Sequence, residues 1–136
     1  MIFTKEKTFN MRAEKTRKMK IHSYIDYAIA TLLIFSPWIF NIQTELMESK
    51  IMVTVGLALF ITNLTTKHKL GLAKIFKTKT HYKIDLFLGW FLFVSPFLYG
   101  FFSSTLLPHL LFGVLIFLNT FMIKIPFKIV STRKFA

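Results

Sequence analysis

At 136 residues the chain is one small domain long, yet 54 % of it is hydrophobic and Phe alone occurs 17 times. A soluble domain of that size has too little interior for so many large apolar side chains, so an ordinary globular core is excluded. The lack of Cys excludes thiol redox chemistry, thiolate metal sites and disulfides, and the net charge of +12 must be explained by nucleic acid, anionic lipid or topology according to where the charges fall.

Residues 1–20 form a basic segment carrying Lys5, Lys7, Arg12, Lys15, Arg17, Lys18 and Lys20, expected to be mobile or to lie on a membrane surface. A first apolar stretch covers about 24–40, and no small-x-small site follows it, so an uncleaved span is expected rather than a signal peptide. A second covers about 51–66 and reaches full length if extended back to Leu46, with Glu48 and Lys50 at headgroup level. The connection at 68–79 interleaves Leu70, Leu72, Ile75 and Phe76 with Lys69, Lys74 and Lys77, just after Lys67. That pattern suits either a short helix on the inner leaflet or a solvated linker. A third stretch covers about 82–102 and a fourth about 106–127, with residues 126–136 as a tail. Each is near the roughly 20 residues a helix needs to cross about 30 Å of hydrocarbon. None alternates with period two, which argues against a barrel. The expected fold class is all-α with four transmembrane helices.

Of the 18 basic residues, all but Lys50 lie in the N-terminal segment, the middle connection or the last span and tail. The positive-inside bias then puts both termini and the middle loop in the cytoplasm of a bacterial inner membrane. The expected surroundings are the lipid bilayer, with anionic headgroups near the basic loops, and a homo-oligomeric or other membrane protein partner. Nucleic acid is not expected.

The first and third spans match. His22-Ser23-Tyr24-Ile25-Asp26 aligns with His81-Tyr82-Lys83-Ile84-Asp85, and Ser36-Pro37-Trp38 with Ser95-Pro96-Phe97, always at an offset of 59. Gly56-Leu57-Ala58-Leu59-Phe60 aligns with Gly113-Val114-Leu115-Ile116-Phe117 at an offset of 57, as does Lys67 with Lys124. The chain therefore reads as two tandem two-helix repeats, 21–67 and 80–125. Each has an even number of spans, so both enter from the same side, in parallel orientation.

The 12 residues from Ile25 to Ser36 cover only about 18 Å as a helix. Each proline must therefore lie inside its span, freeing the carbonyl of Leu33 or Leu92, while Ser36 and Ser95 bond back and ease the bend. Trp38 would lie in the outer aromatic belt. Ser36-Pro37-Trp38, repeated as Ser95-Pro96-Phe97, resembles the SPW-repeat family of small bacterial membrane proteins over about residues 22–125. The resemblance implies a membrane-bound two-helix repeat and no established activity. The second copy departs from the motif at Phe97.

Asp26 and Asp85 stand near the cytoplasmic ends of their spans, where a carboxylate can cap a helix and favour its dipole, and where Lys20 and Lys83 are in reach. His22 and His81 each precede the carboxylate by four residues, on one helix face. With Asn63 and Asn119 they form a candidate polar layer of His22, Asp26, Asn63, His81, Asp85 and Asn119, able to relay protons or cations. The main reading assigns no cofactor and no metal. A minor alternative is one divalent metal on His22, Asp26, His81 and Asp85, which requires the helix to reach back to His22. His68 is expected in the loop, and His109 at the outer start of the fourth helix after Pro108. Gly56, Gly89 and Gly113 offer close helix approach. No catalytic motif stands out, so no enzyme is expected. The expected role is a structural or accessory membrane module, with an oligomeric proton or cation permeation element using Asp26 and Asp85 as the alternative.

Overall fold

From Ile2 to Ser36 there is neither Gly nor Pro, and the first half is rich in Lys, Glu, Arg and Met, all good helix formers. These residues form one long helix, α1 (Ile2–Ile39). It is followed by α2 (Met47–Thr65), α3 (Thr78–Tyr99) and α4 (Leu106–Met122). The computed structural model describes residues 2–66, 71, 73, 75, 77–102 and 105–123, which make an all-α fold with no strand among them. The basic N-terminal segment is thus a continuation of α1. Its threonine hydroxyls bond back into the helix at Thr8 and Thr16, and Lys18 pairs with Glu14 one turn earlier at 3.5 Å.

Pro37 and Pro96 lie inside α1 and α3. Ser36 Oγ donates to the Leu33 carbonyl at 2.6 Å and Ser95 Oγ to the Leu92 carbonyl at 2.8 Å, the two acceptors that the prolines leave without an N–H. Four residues past each proline the backbone turns left-handed, at Asn41 (φ 53°) and Gly100 (φ 73°). Asn and Gly are the residues that tolerate this conformation, and it ends a helix. The next amide returns to the proline carbonyl, Ile42 to Pro37 at 2.8 Å and Phe101 to Pro96 at 3.2 Å. Ile42 and Phe101 pack against the core, so both repeats stop their first helix with the same device.

The packing repeats as well. α1 rests chiefly on α2 and α3 chiefly on α4, while lesser α1–α4 and α2–α3 contacts close a ring of four. An added Cβ at Gly56 would lie 2.9 Å from the Ala30 carbonyl and 2.9 Å from Leu33 Cβ. At Gly113 it would lie 3.0 Å from the Gly89 carbonyl and 2.9 Å from Phe93 Cβ. Gly89 and Ala30 are themselves 59 residues apart. The apolar core between the pairs is small: Ile29, Ala30, Leu33, Ile51, Met52, Val55, Leu59, Leu92, Phe112 and Ile116.

Among the described residues one helix, Met47–Thr65, is long and apolar enough to cross a membrane by length and composition, and Leu106–Met122 is apolar but shorter. α1 and α3 carry His, Asp and Lys in their inner turns, which lowers their mean hydropathy. Much of the middle connection, with His68, lies outside the described residues. Gly71, Ala73, Ile75 and Lys77 are not helical, and the Ala73 and Ile75 amides bond the Leu64 and Thr65 carbonyls at the end of α2. His109 stands in the first turn of α4, as expected, and is fully buried there, with Nδ1 2.7 Å from the Thr105 carbonyl and its ring against Phe101.

The α3–α4 contact predicts that Gly113→Val forces the two helices apart. The expected cost is about 1–3 kcal/mol or more, typical of an overpacked contact, read as a lower thermal midpoint of the purified protein.

Candidate functional site

The i, i+4 spacing puts His22 and Asp26 on one face of α1, and His81 and Asp85 on one face of α3. Because α1 runs back well beyond His22 and α3 begins at Thr78, all four residues lie within helix. The two faces meet across the ring. His22 Nε2 lies 3.0 Å from Asp26 Oδ2 and 3.2 Å from Asp85 Oδ2, while His81 Nε2 lies 3.1 Å from each. Two nitrogens and two oxygens thus alternate around a small closed circuit. None of the four residues is more than 2 % exposed.

Neighbouring groups set the orientation of each member. His22 Nδ1 is 3.1 Å from the main-chain carbonyl of Asn119. A carbonyl only accepts, so this nitrogen carries the proton. His81 Nδ1 is 3.0 Å from Thr66 Oγ1, whose own proton goes to the Thr62 carbonyl. The hydroxyl therefore accepts from His81, and that ring too is protonated at Nδ1. Asn119 Nδ2 donates to Asp26 Oδ1 at 2.6 Å and to the His22 carbonyl at 3.1 Å. Tyr82 packs edge-on to both imidazoles.

The first repeat supplies no counterpart of the Asn119 contact to Asp85. Fifty-seven residues before Asn119 stands Thr62, whose hydroxyl turns back to the Ala58 carbonyl at 2.8 Å. Neither oxygen of Asp85 has a hydrogen-bond partner among the described residues, although two Nε2 atoms stand within 3.2 Å. Toward Asp85 neither ring has the alignment that a hydrogen bond needs; His81 Nε2 instead hydrogen-bonds Asp26 Oδ2 at 3.1 Å.

The structure brings together five of the six residues of the expected polar layer. The sixth, Asn63, sits beside it and clasps Ser23 instead: Ser23 Oγ donates to Asn63 Oδ1 at 2.8 Å, and Asn63 Nδ2 donates to the Ser23 carbonyl at 2.9 Å. The capping reading of the carboxylates fails. Asp26 is more than twenty residues into α1 and Asp85 lies in the second full turn of α3, beyond reach of free helix-end amides. Their partners are histidines and Asn119, not Lys20 or Lys83. Ser36, Pro37, Ser95 and Pro96 are buried at the opposite end, where Trp38 and Phe97 point outward. Thr66 and Ser23 were not singled out in the sequence. Ser23 stands inside the repeated His-to-Asp segment, but Thr66 meets His81 only because α2 ends beside α3.

Chemically, two carboxylates and two imidazoles held this closely share protons or hold a cation, and His22, Asp26, His81 and Asp85 are the residues able to ligate one. A family model described as the SPW repeat domain matches residues 20–122. No curated protein and no solved structure matches the chain. The family match takes in both Ser-Pro-aromatic motifs, all four residues of the buried circuit and most of the chain's length, and the protein belongs to the SPW repeat family.

Proposed function

We propose that the protein is a small multi-pass membrane module, structural or accessory in role, whose two helix pairs are locked to each other by the buried His–Asp circuit near the cytoplasmic face. The circuit carries this reading: each repeat supplies one histidine and one carboxylate, and each histidine lies within 3.2 Å of both carboxylates. The joint lies on the diagonal between α1 and α3, which have little backbone packing of their own.

Lipid as the surrounding solvent is supported by what the outer faces expose. Leu107, Trp38, Leu118 and Phe87 are each more than 60 % exposed. Only 39 % of the apolar α2 window is buried within the chain, whereas the core helix of a soluble protein would be mostly covered. Trapping 17 of 18 basic residues on one side of such a bundle is what the positive-inside bias requires. In one copy the carboxylates are sealed by their neighbours, so conduction through them would need a different, assembled arrangement. The Thr66 hydroxyl beside His81 gives its proton to the Thr62 carbonyl and not to the ring, which supports a non-enzymatic role.

Two measurements test the proposal. A reporter fused at either terminus should read as cytoplasmic and one inserted near residue 103 as external. The reverse pattern would overturn the topology. Asp26→Asn with Asp85→Asn leaves two imidazoles facing neutral amides, and breaking a buried charged set by removing one side typically costs about 3–5 kcal/mol. The doubly substituted protein should therefore lose folded material on gentle detergent extraction. Normal assembly with altered proton or cation flux in liposomes would instead support permeation.

A further inference from the structure

We infer that the circuit of His22, Asp26, His81 and Asp85 is a binding site for one divalent transition-metal ion of the zinc type. The inference names the ligand of the joint proposed above and rests on that joint being formed by this chain's own two repeats.

Four observations point to it. First, the four facing atoms are spaced for a common ligand. Neighbours in the circuit are 3.0–3.2 Å apart, and all four ligand atoms lie within 4.8 Å of one another. A point central to four such atoms is about 2–2.4 Å from each, so small side-chain shifts bring all four to the length of zinc bonds to imidazole nitrogen and carboxylate oxygen. Second, both rings are held in the tautomer a metal needs. Each Nδ1–H is spent, on the Asn119 carbonyl in one case and on Thr66 in the other, so both Nε2 atoms are the ones left facing the centre, and the proton of the His81 Nε2–Asp26 Oδ2 hydrogen bond at 3.1 Å is the one a metal ion displaces. Metal-binding histidines regularly donate their other nitrogen in this way. Third, the carboxylates are steered inward. Asn119 holds Asp26 Oδ1 at 2.6 Å, leaving Oδ2 for the circuit. Asp85 is fully buried and has no donor at either oxygen among the described residues, while His22 Nε2 also lacks a hydrogen-bond partner there. A buried carboxylate without a donor is too costly to stand alone, and a cation at the centre satisfies both groups at once. Fourth, the charges balance: two carboxylates with two neutral imidazoles carry a charge of minus two, which one divalent ion cancels.

The donor set chooses the metal class. Two imidazoles and two carboxylates in a closed four-coordinate arrangement suit zinc and its first-row neighbours. Magnesium and calcium prefer six or more oxygen ligands and gain little from imidazole. Four protein ligands leave no position open for substrate, so the ion would be structural, pinning α1 to α3.

The test uses the full chain purified in mild detergent, with zinc as the probe. Wild-type protein should carry about one zinc per chain by elemental analysis, and His22→Ala with His81→Ala should carry none. Because that variant also loses half of the buried circuit, the same question is put to the wild type. Chelation should lower its thermal midpoint, with recovery on adding zinc but not magnesium, and cobalt substitution should give the intense visible bands of a four-coordinate ion. Asn119→Ala should weaken zinc binding roughly 10–100-fold while leaving all four ligands in place. Wild-type protein with no bound metal, no cobalt bands and a thermal midpoint indifferent to chelator and zinc would overturn the proposal and identify the circuit as shared protons alone. In that case the loss of stability in the Asp26→Asn, Asp85→Asn protein would still stand as evidence for the lock. Stoichiometric metal without any loss of stability on chelation would establish the site and remove its role as the lock.

Discussion

Charge burial governs the interior of this bundle. Asp26 and Asp85 are placed among apolar helices at 1 % and 0 % exposure, where an isolated carboxylate is prohibitively expensive. Each has the imidazole of its own repeat and that of the other within 3.2 Å, so the two helix pairs share one buried polar set beside a small apolar core.

The two helix pairs bring matching residues to the circuit but hold them differently. The first-helix ends are still equivalent, from the serine that covers the proline-freed carbonyl to the left-handed residue that terminates the helix. The surroundings of the circuit are not. Where α4 places Asn119 to hold Asp26, α2 places Thr62, which bonds its own backbone and leaves Asp85 without a donor. Where His22 reaches a carbonyl directly, His81 reaches one through the hydroxyl of Thr66. The two halves therefore present the same four atoms to the centre through different supports.

The prolines and the circuit divide the bundle into two ends with different physics. At the end of Pro37 and Pro96 the freed carbonyls are satisfied locally, within one turn, by Ser36 and Ser95. At the other end polar groups are satisfied only across helices: His22 and Asp26 with α4, His81 with the end of α2, Ser23 with Asn63. These bonds join residues far apart in the chain, so they exist only where separate helices meet.

Much of the fold was readable from the residues. Four helices, the duplicated plan, the intrahelical prolines and the His-to-Asp spacing follow from periodicity and self-similarity, because helix geometry turns a spacing of four into a shared face. Helix ends were less legible. The polar segment before His22 gives no hydrophobic signal, so α1 reads shorter from sequence than it is, and the carboxylates then look like caps. Only the tertiary structure decided that the two faces meet, that Asn119 joins them while Asn63 turns to Ser23, and that Thr66 completes the setting of His81. Spacing along one helix is encoded locally. Which faces oppose one another depends on how separate helices meet, and here the two pairs meet through α1 with α4 and α2 with α3, between residues far apart in the chain.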